Sequence, residues 1–458
     1  MNILILGAGQ VGGTLAEQLV REGNNVTVVD HNPTTLSDLQ QRLDIRTVCG
    51  HAGYPDIITA AGGMDAEMII AVTNSDETNM IGCLVAQVLF QIPTKIARIR
   101  SSSYANYTDI FAKKAIPIDV IISPESIVTQ FIERLIEFPG ALQVLDFANG
   151  QVQLIAMKPD EHSPLTGKTL AGAQQFLPLQ QWRIVAIYRD NRSVTLYDNT
   201  PIEAGDEVFI LTLHHDVRPI LAALLREESP LRRIMIVGGG RIGSRLAKSL
   251  ETKYRVKVID NHPETAERLA GDLHHSTVLL GDASDRELLI NENVEVTDVF
   301  CAVTNDDEDN IMSCLLAKQL GVKQVMAICN RSAYAELIES SPIDIAISPQ
   351  LATTSAILRY LRQGDVVNVY SLRRGAAEAI EVIAHGDHDT SAVVGRSLQD
   401  IKLPKGTVIG AIVRKSDVIF ERKQQVIEAG DHVILFVQDK KAIHQVERLF
   451  QVKTGFFA

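Results

Sequence analysis

The chain has 458 residues, enough for three or four domains at ~100–200 residues each. Hydrophobic residues make up 46% and charged residues 22%, ordinary globular values that exclude long disorder. The net charge of −12 excludes nucleic acid as a partner in the absence of a basic stripe; the longest basic clusters, Arg232-Arg233 and Arg373-Arg374, read as solvated pairs at strand edges.

Asn2–Leu6 is a short apolar run that meets Gly7-Ala8-Gly9-Gln10-Val11-Gly12. It carries no basic n-region and so does not read as a signal peptide. Apolar Leu15, Ala16, Leu19 and Val20 predict a helix over Thr14–Arg21, and Val26–Val29 predicts a strand ending at Asp30. Strand, G-x-G-x-x-G loop, helix, strand and acid form the dinucleotide fingerprint. Gly7 permits the tight turn, Gly9 admits a phosphate to the backbone, and Gly12 lets helix and strand pack closely. Asp30 can accept both ribose hydroxyls, and its charge disfavours NADP.

Met68–Val72 reads as a buried parallel strand. Thr73-Asn74-Ser75-Asp76 follows at its carboxyl end, where ligands lie in a doubly wound sheet, so Thr73 and Asn74 should face the nucleotide. Asp76 and Glu77 read first as acids that cap the helix and complement its dipole. Met80–Ile92 is the most apolar run, but its 13 residues include Gln87 and Gln91, short of the ~20 a bilayer span needs. A cytoplasmic chain is expected, with any membrane contact made through a partner. Lys95–Arg100 alternates as a strand and places Arg98 and Arg100 on one face, available to phosphates.

Ser123-Pro124-Glu125 opens a helix whose Ile127, Val128, Phe131, Ile132, Leu135 and Ile136 form an apolar stripe. Such a helix between domains should pack on another body, its twin in a dimer being one candidate. Residues 141–227 read as a small α/β module with a Glu203-Ala204-Gly205-Asp206 turn.

The pattern then repeats. Gly238-Gly239-Gly240-Arg241-Ile242-Gly243 recurs 231 residues after the first loop, and Asp260 follows it. Ala302–Asn310 repeats Ala71–Asn79, so Thr304 and Asn305 match Thr73 and Asn74. Pro342-Ile343-Asp344 repeats Pro117-Ile118-Asp119, and Ile427–Asp431 repeats Ile202–Asp206. Conserved order over the whole chain means duplication. The expected divisions are a Rossmann domain at 1–123, a linking helix at 124–140 and a small domain at 141–227, then 232–348, 349–364 and 365–453. The fold class is α/β, with two doubly wound parallel sheets in tandem. Arg331 matches Arg100, but Cys329 replaces Arg98 and Arg241 replaces Gln10, so the two sites should differ and read two ligands or two charge states of one. The five cysteines (Cys49, Cys83, Cys301, Cys314, Cys329) form no C-x-x-C pair and read as buried free thiols. His385, Asp387, His388 and Asp389 read as a polar loop rather than a metal site.

Taken together, the duplicated loop with Asp30, the Thr73–Glu77 signature, the Pro117-Ile118-Asp119 segment and the Glu-Ala-Gly-Asp turns resemble the TrkA family along the whole chain. These are peripheral subunits of bacterial Trk potassium uptake, built from domains called RCK or KTN. The resemblance implies binding of NAD(H) or ATP/ADP and a homotetrameric ring. It also implies a peripheral, non-enzymatic role on the cytoplasmic face of the inner membrane, docked on a Trk-type transporter that itself carries the potassium. It places the first nucleotide site at Gly7, Ala8, Gly9, Gln10, Val11, Asp30, Thr73, Asn74 and Arg98, and the second at Gly238, Gly239, Gly240, Arg241, Ile242, Asp260 and Thr304. Motif and repeat add Gly12 and Arg100 to the first, and Gly243, Asn305 and Arg331 to the second. An NAD-dependent oxidoreductase shares the Rossmann loop but needs a positioned acid/base beside the nicotinamide, and no Tyr-x-x-x-Lys occurs. A scaffold with vestigial sites is the third reading.

Overall fold

The computed structural model describes residues 1–105, 107, 109–112, 115–177, 181–225, 231–331, 334, 338, 341–358, 360, 365–373, 376–420 and 424–452. The expected domain ends at 227 and 453, residues 361–364 of the second linking segment and Arg374 lie outside them.

Six strands form the first sheet: β1 (Asn2–Leu6), β2 (Asn25–Asp30), β3 (Arg46–Cys49), β4 (Met68–Ala71), β5 (Thr94–Arg98) and β6 (Val120–Ile122). Their order is β3-β2-β1-β4-β5-β6, and the pairs are parallel. β1 and β4 are buried almost throughout because helices cover both faces, so their sequences are continuous apolar runs. The order reverses between β1 and β4, which opens a crevice at their carboxyl ends. The second sheet repeats this plan with β12 (Arg233–Val237), β13 (Arg255–Asp260), β14 (Thr277–Leu280), β15 (Val299–Ala302), β16 (Gln324–Ile328) and β17 (Ile345–Ile347), in the order β14-β13-β12-β15-β16-β17. The repeated Pro-Ile-Asp segments act as clamps: Asp119 accepts the Lys95 amide at 2.7 Å and Asp344 the Val325 amide at 2.7 Å. Each ties the approach of an edge strand to its neighbour.

The small domains are antiparallel five-stranded sheets of one topology. The first joins β7 (Ala141–Phe147), β8 (Val152–Met157), β9 (Trp182–Arg189), β10 (Arg192–Ser193) and β11 (Glu207–Leu213). The second joins β18 (Val366–Leu372), β19 (Ala377–Ile383), β20 (Thr407–Arg414), β21 (Asp417–Phe420) and β22 (His432–Val437). The Glu-Ala-Gly-Asp turns are structural. Buried Asp206 and Asp431 receive the forked guanidinium groups of Arg189 and Arg414 at 2.7–2.9 Å. The two small sheets pack on each other through Phe147, Phe209, Tyr370 and Phe436, and Gly410 leaves the space that Leu211 fills. Arg373 is not the solvated arginine expected from its strand-edge position. Its guanidinium lies 4.2 Å over the Tyr188 ring and bonds Glu207 and Asn191 of the first small domain. The domain contact withdraws it from water.

The linking helices exchange halves. Ser123 caps the first (Pro124–Glu137) by accepting the Ser126 amide. Its buried Val128, Ile132, Leu135 and Ile136 join the core of the second Rossmann sheet, against Leu246, Leu250 and Ile345. The second (Pro349–Leu358) places Ile357 and Leu358 in a core shared with the first Rossmann sheet and the second small domain. The two helices also touch each other. The apolar stripe therefore packs on its twin within one chain, and on the other half's glycine-loop helix. At ~1.5–3 kcal/mol per buried Leu, Ile or Val, this stripe is a substantial part of what joins the halves.

Local bounds differ where the loop geometry decides. The glycine-loop helix begins at Gln10 (Gln10–Arg21), with extended Gly9 as its cap residue, and the helix after β4 begins at Asp76 (Asp76–Phe90), capped by Ser75. β5 stops at Arg98, so Arg100 lies beyond the strand. Cys49 is exposed at the end of edge strand β3, contrary to the buried setting expected, while Cys83, Cys301, Cys314 and Cys329 are buried. Among the described residues no helix is long and apolar enough to cross a membrane.

One carboxylate pins the start of the second sheet. Asp298 accepts the amides of Arg232 at 2.8 Å and Arg233 at 3.0 Å and the Lys323 ammonium at 2.8 Å. Burial raises its pKa, but the bonds from Lys323 and the two amides outweigh this and hold it below the usual carboxylate value. A depressed folded pKa gives stability that is complete above the unfolded value and lost as pH falls through the folded one. Asp298→Asn should therefore flatten the loss of stability below about pH 4, measured as urea midpoints at successive pH values. Equal acid sensitivity in both proteins would count against this role.

Candidate functional site

The first cleft opens where β1 runs into the glycine loop. Gly7 has φ +107°, and a Cβ there would stand 2.9 Å from the Thr73 nitrogen. A Cβ on Gly12 would lie 1.9 Å from the Gly7 carbonyl oxygen, whereas one on Gly9 would meet nothing within 4 Å. The loop is thus tight everywhere except the side a ligand would approach. Gly9 supplies no side-chain cap, so the first-turn amides of the helix remain available to an anion. Asp30 is fixed from both sides: Oδ2 accepts the Ala8 amide at 2.7 Å and Oδ1 the Asn32 amide at 2.9 Å.

Thr73 is held by a residue the sequence reading passed over. Asn79, fully buried, accepts the Thr73 amide at 2.9 Å and hydroxyl at 2.7 Å, and donates to the carbonyls of Thr73 at 3.3 Å and Arg98 at 2.9 Å. It fastens the ends of β4 and β5 together. Its recurrence as Asn310 was the available signal. Asp76 stands in the first turn of its helix, where its charge complements the dipole, but Ser75 is the cap; Asp76 Oδ2 accepts the amides of Arg100 and Ser101 at 3.0 and 2.8 Å, stapling the loop after β5. Arg98 donates to the Thr73 carbonyl at 2.5 Å, and its pKa is lowered, by burial first and then by Arg100. Arg100 donates to the Asn74 carbonyl. Among the described residues the buried Nε atoms of Arg98 and Arg100 have no hydrogen-bond partner, though Arg100 Nε stands 3.9 Å from Asp76 Oδ1. Two half-satisfied guanidinium groups beside free helix amides fit a phosphate-bearing ligand.

The cavity so formed measures about 690 Å³ and is lined by Gly7, Gly9, Gln10, Val11, Asp30, Thr73, Asn74, Arg98 and Arg100. Ala8 and Gly12 lie behind it as backbone support. The second cavity measures about 660 Å³ and is lined by Gly238, Gly240, Arg241, Ile242, Asp260, Thr304 and Asn305, with Gly239 and Gly243 behind. Its framework repeats the first. Gly238 has φ +98°, Asp260 accepts the Gly239 and His262 amides at 2.6 and 2.8 Å, and Asn310 holds Thr304 as Asn79 holds Thr73. Arg331 is the exception. It lines neither cavity, and pairs instead with Glu308 at 3.0 Å and Tyr334 at 3.2 Å on the surface. Cys329 is buried in the core and presents no charge.

The two cavities share walls. Arg100 and Glu125 of the first half line the second, while Asn330, Pro349 and Gln350 of the second half line the first. Gln350 donates to the side chain of Gln10 and to the Asn330 carbonyl. Nothing in one half's sequence pattern announces these borrowed residues. Among the described residues no group of His, Cys, Asp and Glu can hold a metal; Asp387 closes a turn by accepting from Thr390 and the Asp389 amide.

Fold and clefts define the class: a tandem pair of dinucleotide-type Rossmann units, each followed by a small antiparallel domain and facing each other across exchanged helices. The TrkA-N domain model matches residues 3–124 and 234–349, and the TrkA-C domain model residues 387–451. The chain is 53% identical to the Trk system potassium uptake protein TrkA of Halomonas elongata and 52% identical to that of Vibrio alginolyticus, in each case over 457 residues covering 100% of both chains. It belongs to the TrkA family. Its fold is also that of the GsuK channel, solved bound to NAD, at 18% identity and a TM-score of 0.62, covering 98% of this chain and 79% of that one.

Proposed function

We propose that the chain is a nucleotide-sensing regulatory subunit of a Trk-type membrane potassium transporter, with NAD(H) or ATP/ADP in the two glycine-loop clefts. The observation that carries this reading is the sharing of walls: a ligand in either cleft touches residues of both halves. A ligand can shift an assembly only through its different affinity for two shapes, and a cleft built from two bodies has a geometry that changes when they rotate. The relatives' place in potassium uptake and the NAD found in the GsuK channel agree with it. We take the domains as 1–123, 141–227, 232–348 and 365–453 with the linking helices between; the presence of four separate sheets supports this division. The subunit acts as a homotetramer on the cytoplasmic face of the inner membrane, performs no catalytic step, and leaves conduction to its partner. Its excess of acidic residues suits the basic cytoplasmic loops of a membrane protein.

The test is current through the reconstituted transporter complex, with and without NADH, ATP and ADP. A nucleotide-dependent change in open probability is expected. An open probability indifferent to all of them would overturn the reading.

A further inference from the structure

The two clefts share a framework but not a charge. In the first, Arg98 and Arg100 face two carboxylates, Asp30 and Glu125. In the second, Arg100 and Arg241 face five. Three of these, Asp282, Asp306 and Asp309, stand where the first half has His51, Ser75 and Thr78. The positive charge of Arg98 has no counterpart, because Cys329 is folded into the core.

The three acids form one group. Asp306 opens the helix after β15 and accepts the Asp309 amide at 3.0 Å. Asp282 is held by the amide and hydroxyl of Ser284, both at 2.8 Å. Asp309 has its pKa raised by burial and then by the nearness of Asp306, Asp282 and Glu308. Asp306 and Asp309 lie at the β15 side of the crevice, across the glycine loop from Asp260, whereas Asp282 follows β14 on the Asp260 side. In a Rossmann crevice the acid after the second strand takes the first ribose and the pyrophosphate crosses the glycine loop. Whatever follows the second phosphate must therefore pass Asp306 and Asp309. A triphosphate tail brings further negative charge there, and like charges at contact range repel. A second nucleoside brings ribose hydroxyls, which carboxylates accept.

Building on the nucleotide-binding reading, we infer that the second cleft is selective for dinucleotides and rejects nucleoside triphosphates, with Asp306 and Asp309 as the discriminating residues. The first cleft, with two arginines and neutral Ser75 and Thr78, admits both.

The test is calorimetric titration of the full chain with NADH and with ATP in EDTA. NADH should fill two sites per chain. ATP should fill one, the second event being weaker by at least about tenfold, the lower end of what like-charge juxtaposition costs a wrong ligand. The double variant Asp306→Ser/Asp309→Thr installs the first half's residues. Ser75 caps its helix by accepting the Thr78 amide at 3.1 Å, much as Asp306 does, so the variant keeps its cap; an unchanged melting temperature checks this. Its second ATP event should tighten at least tenfold. Equal ATP affinities in the unmodified chain, or no tightening in the variant, would overturn the inference. So would strong ATP entry on adding magnesium, which would show that the acids hold a metal chelate rather than exclude the tail. If neither nucleotide binds either cleft, it is the nucleotide-binding reading itself that fails.

Discussion

Asn79→Leu is expected to destabilise the first Rossmann unit by ~3–5 kcal/mol and to remove nucleotide binding from the first cleft. Leucine fills a similar space, so the cost is not a cavity. It comes from the groups left behind: the Thr73 amide and the Arg98 carbonyl, each bonded to the fully buried Asn79 side chain, while the Thr73 carbonyl keeps only its bond from Arg98. A buried polar group without a partner costs ~1–3 kcal/mol. Once released, the ends of β4 and β5 lose the spacing that sets Thr73 against Gly7 and Arg98 against the cleft. Asn310→Leu should do the same to the second cleft, since Asn310 also bonds the Thr304 amide and the Ile328 carbonyl. Urea unfolding gives the first quantity and titration with NADH the second, with one site per chain lost in each variant. A loss below about 0.5 kcal/mol, within the range of an ordinary surface change, would show that Asn79 is not the fastener described.

The parts of the fold legible in the sequence were those set by local rules. Continuous apolar runs marked β1 and β4, and alternating elements marked the parallel sheets. The glycine spacing and Asp30 located the loop, because close packing against Thr73 and the Gly7 carbonyl leaves no room for side chains at those places. The duplication then supplied the second copy without further reasoning. What stayed illegible depends on contacts between distant segments. The stripe on Pro124–Glu137 announced a buried face but not its partner, since periodicity describes one helix at a time. Arg373 looked like a strand-edge charge because Glu207 and Asn191 reach it only after the small sheets pack together. Arg331 was matched to Arg100 by alignment, yet Glu308 and Tyr334 hold it on the surface. Arg100 itself proved to be shared between clefts, a property no single repeat can encode.

The exchanged helices give the second large prediction. Leu135 of the first linking helix and Ile357 of the second are both fully buried, each in a core that includes strands of the opposite Rossmann sheet. Truncating either to alanine should cost ~2–5 kcal/mol of stability, the range for a buried Leu or Ile that leaves a cavity behind. The consequence for function is more specific than the loss of stability. The glycine loops, Asp30, Asp260, Asn79 and Asn310 are untouched by these substitutions, so each cleft keeps its own framework. What loosens is the seating of one half on the other, which brings Gln350 to Gln10 and Arg100 to the second cleft. Leu135→Ala/Ile357→Ala should therefore bind NADH in both clefts with affinity changed by no more than a few-fold, while the response of transporter current to nucleotide falls sharply. Calorimetry and current recording on the same preparation separate the two effects. If the current responds as fully as in the unmodified complex while unfolding confirms the weakened contact, the signal does not travel through the exchanged helices, and the lever must be sought in the paired small sheets.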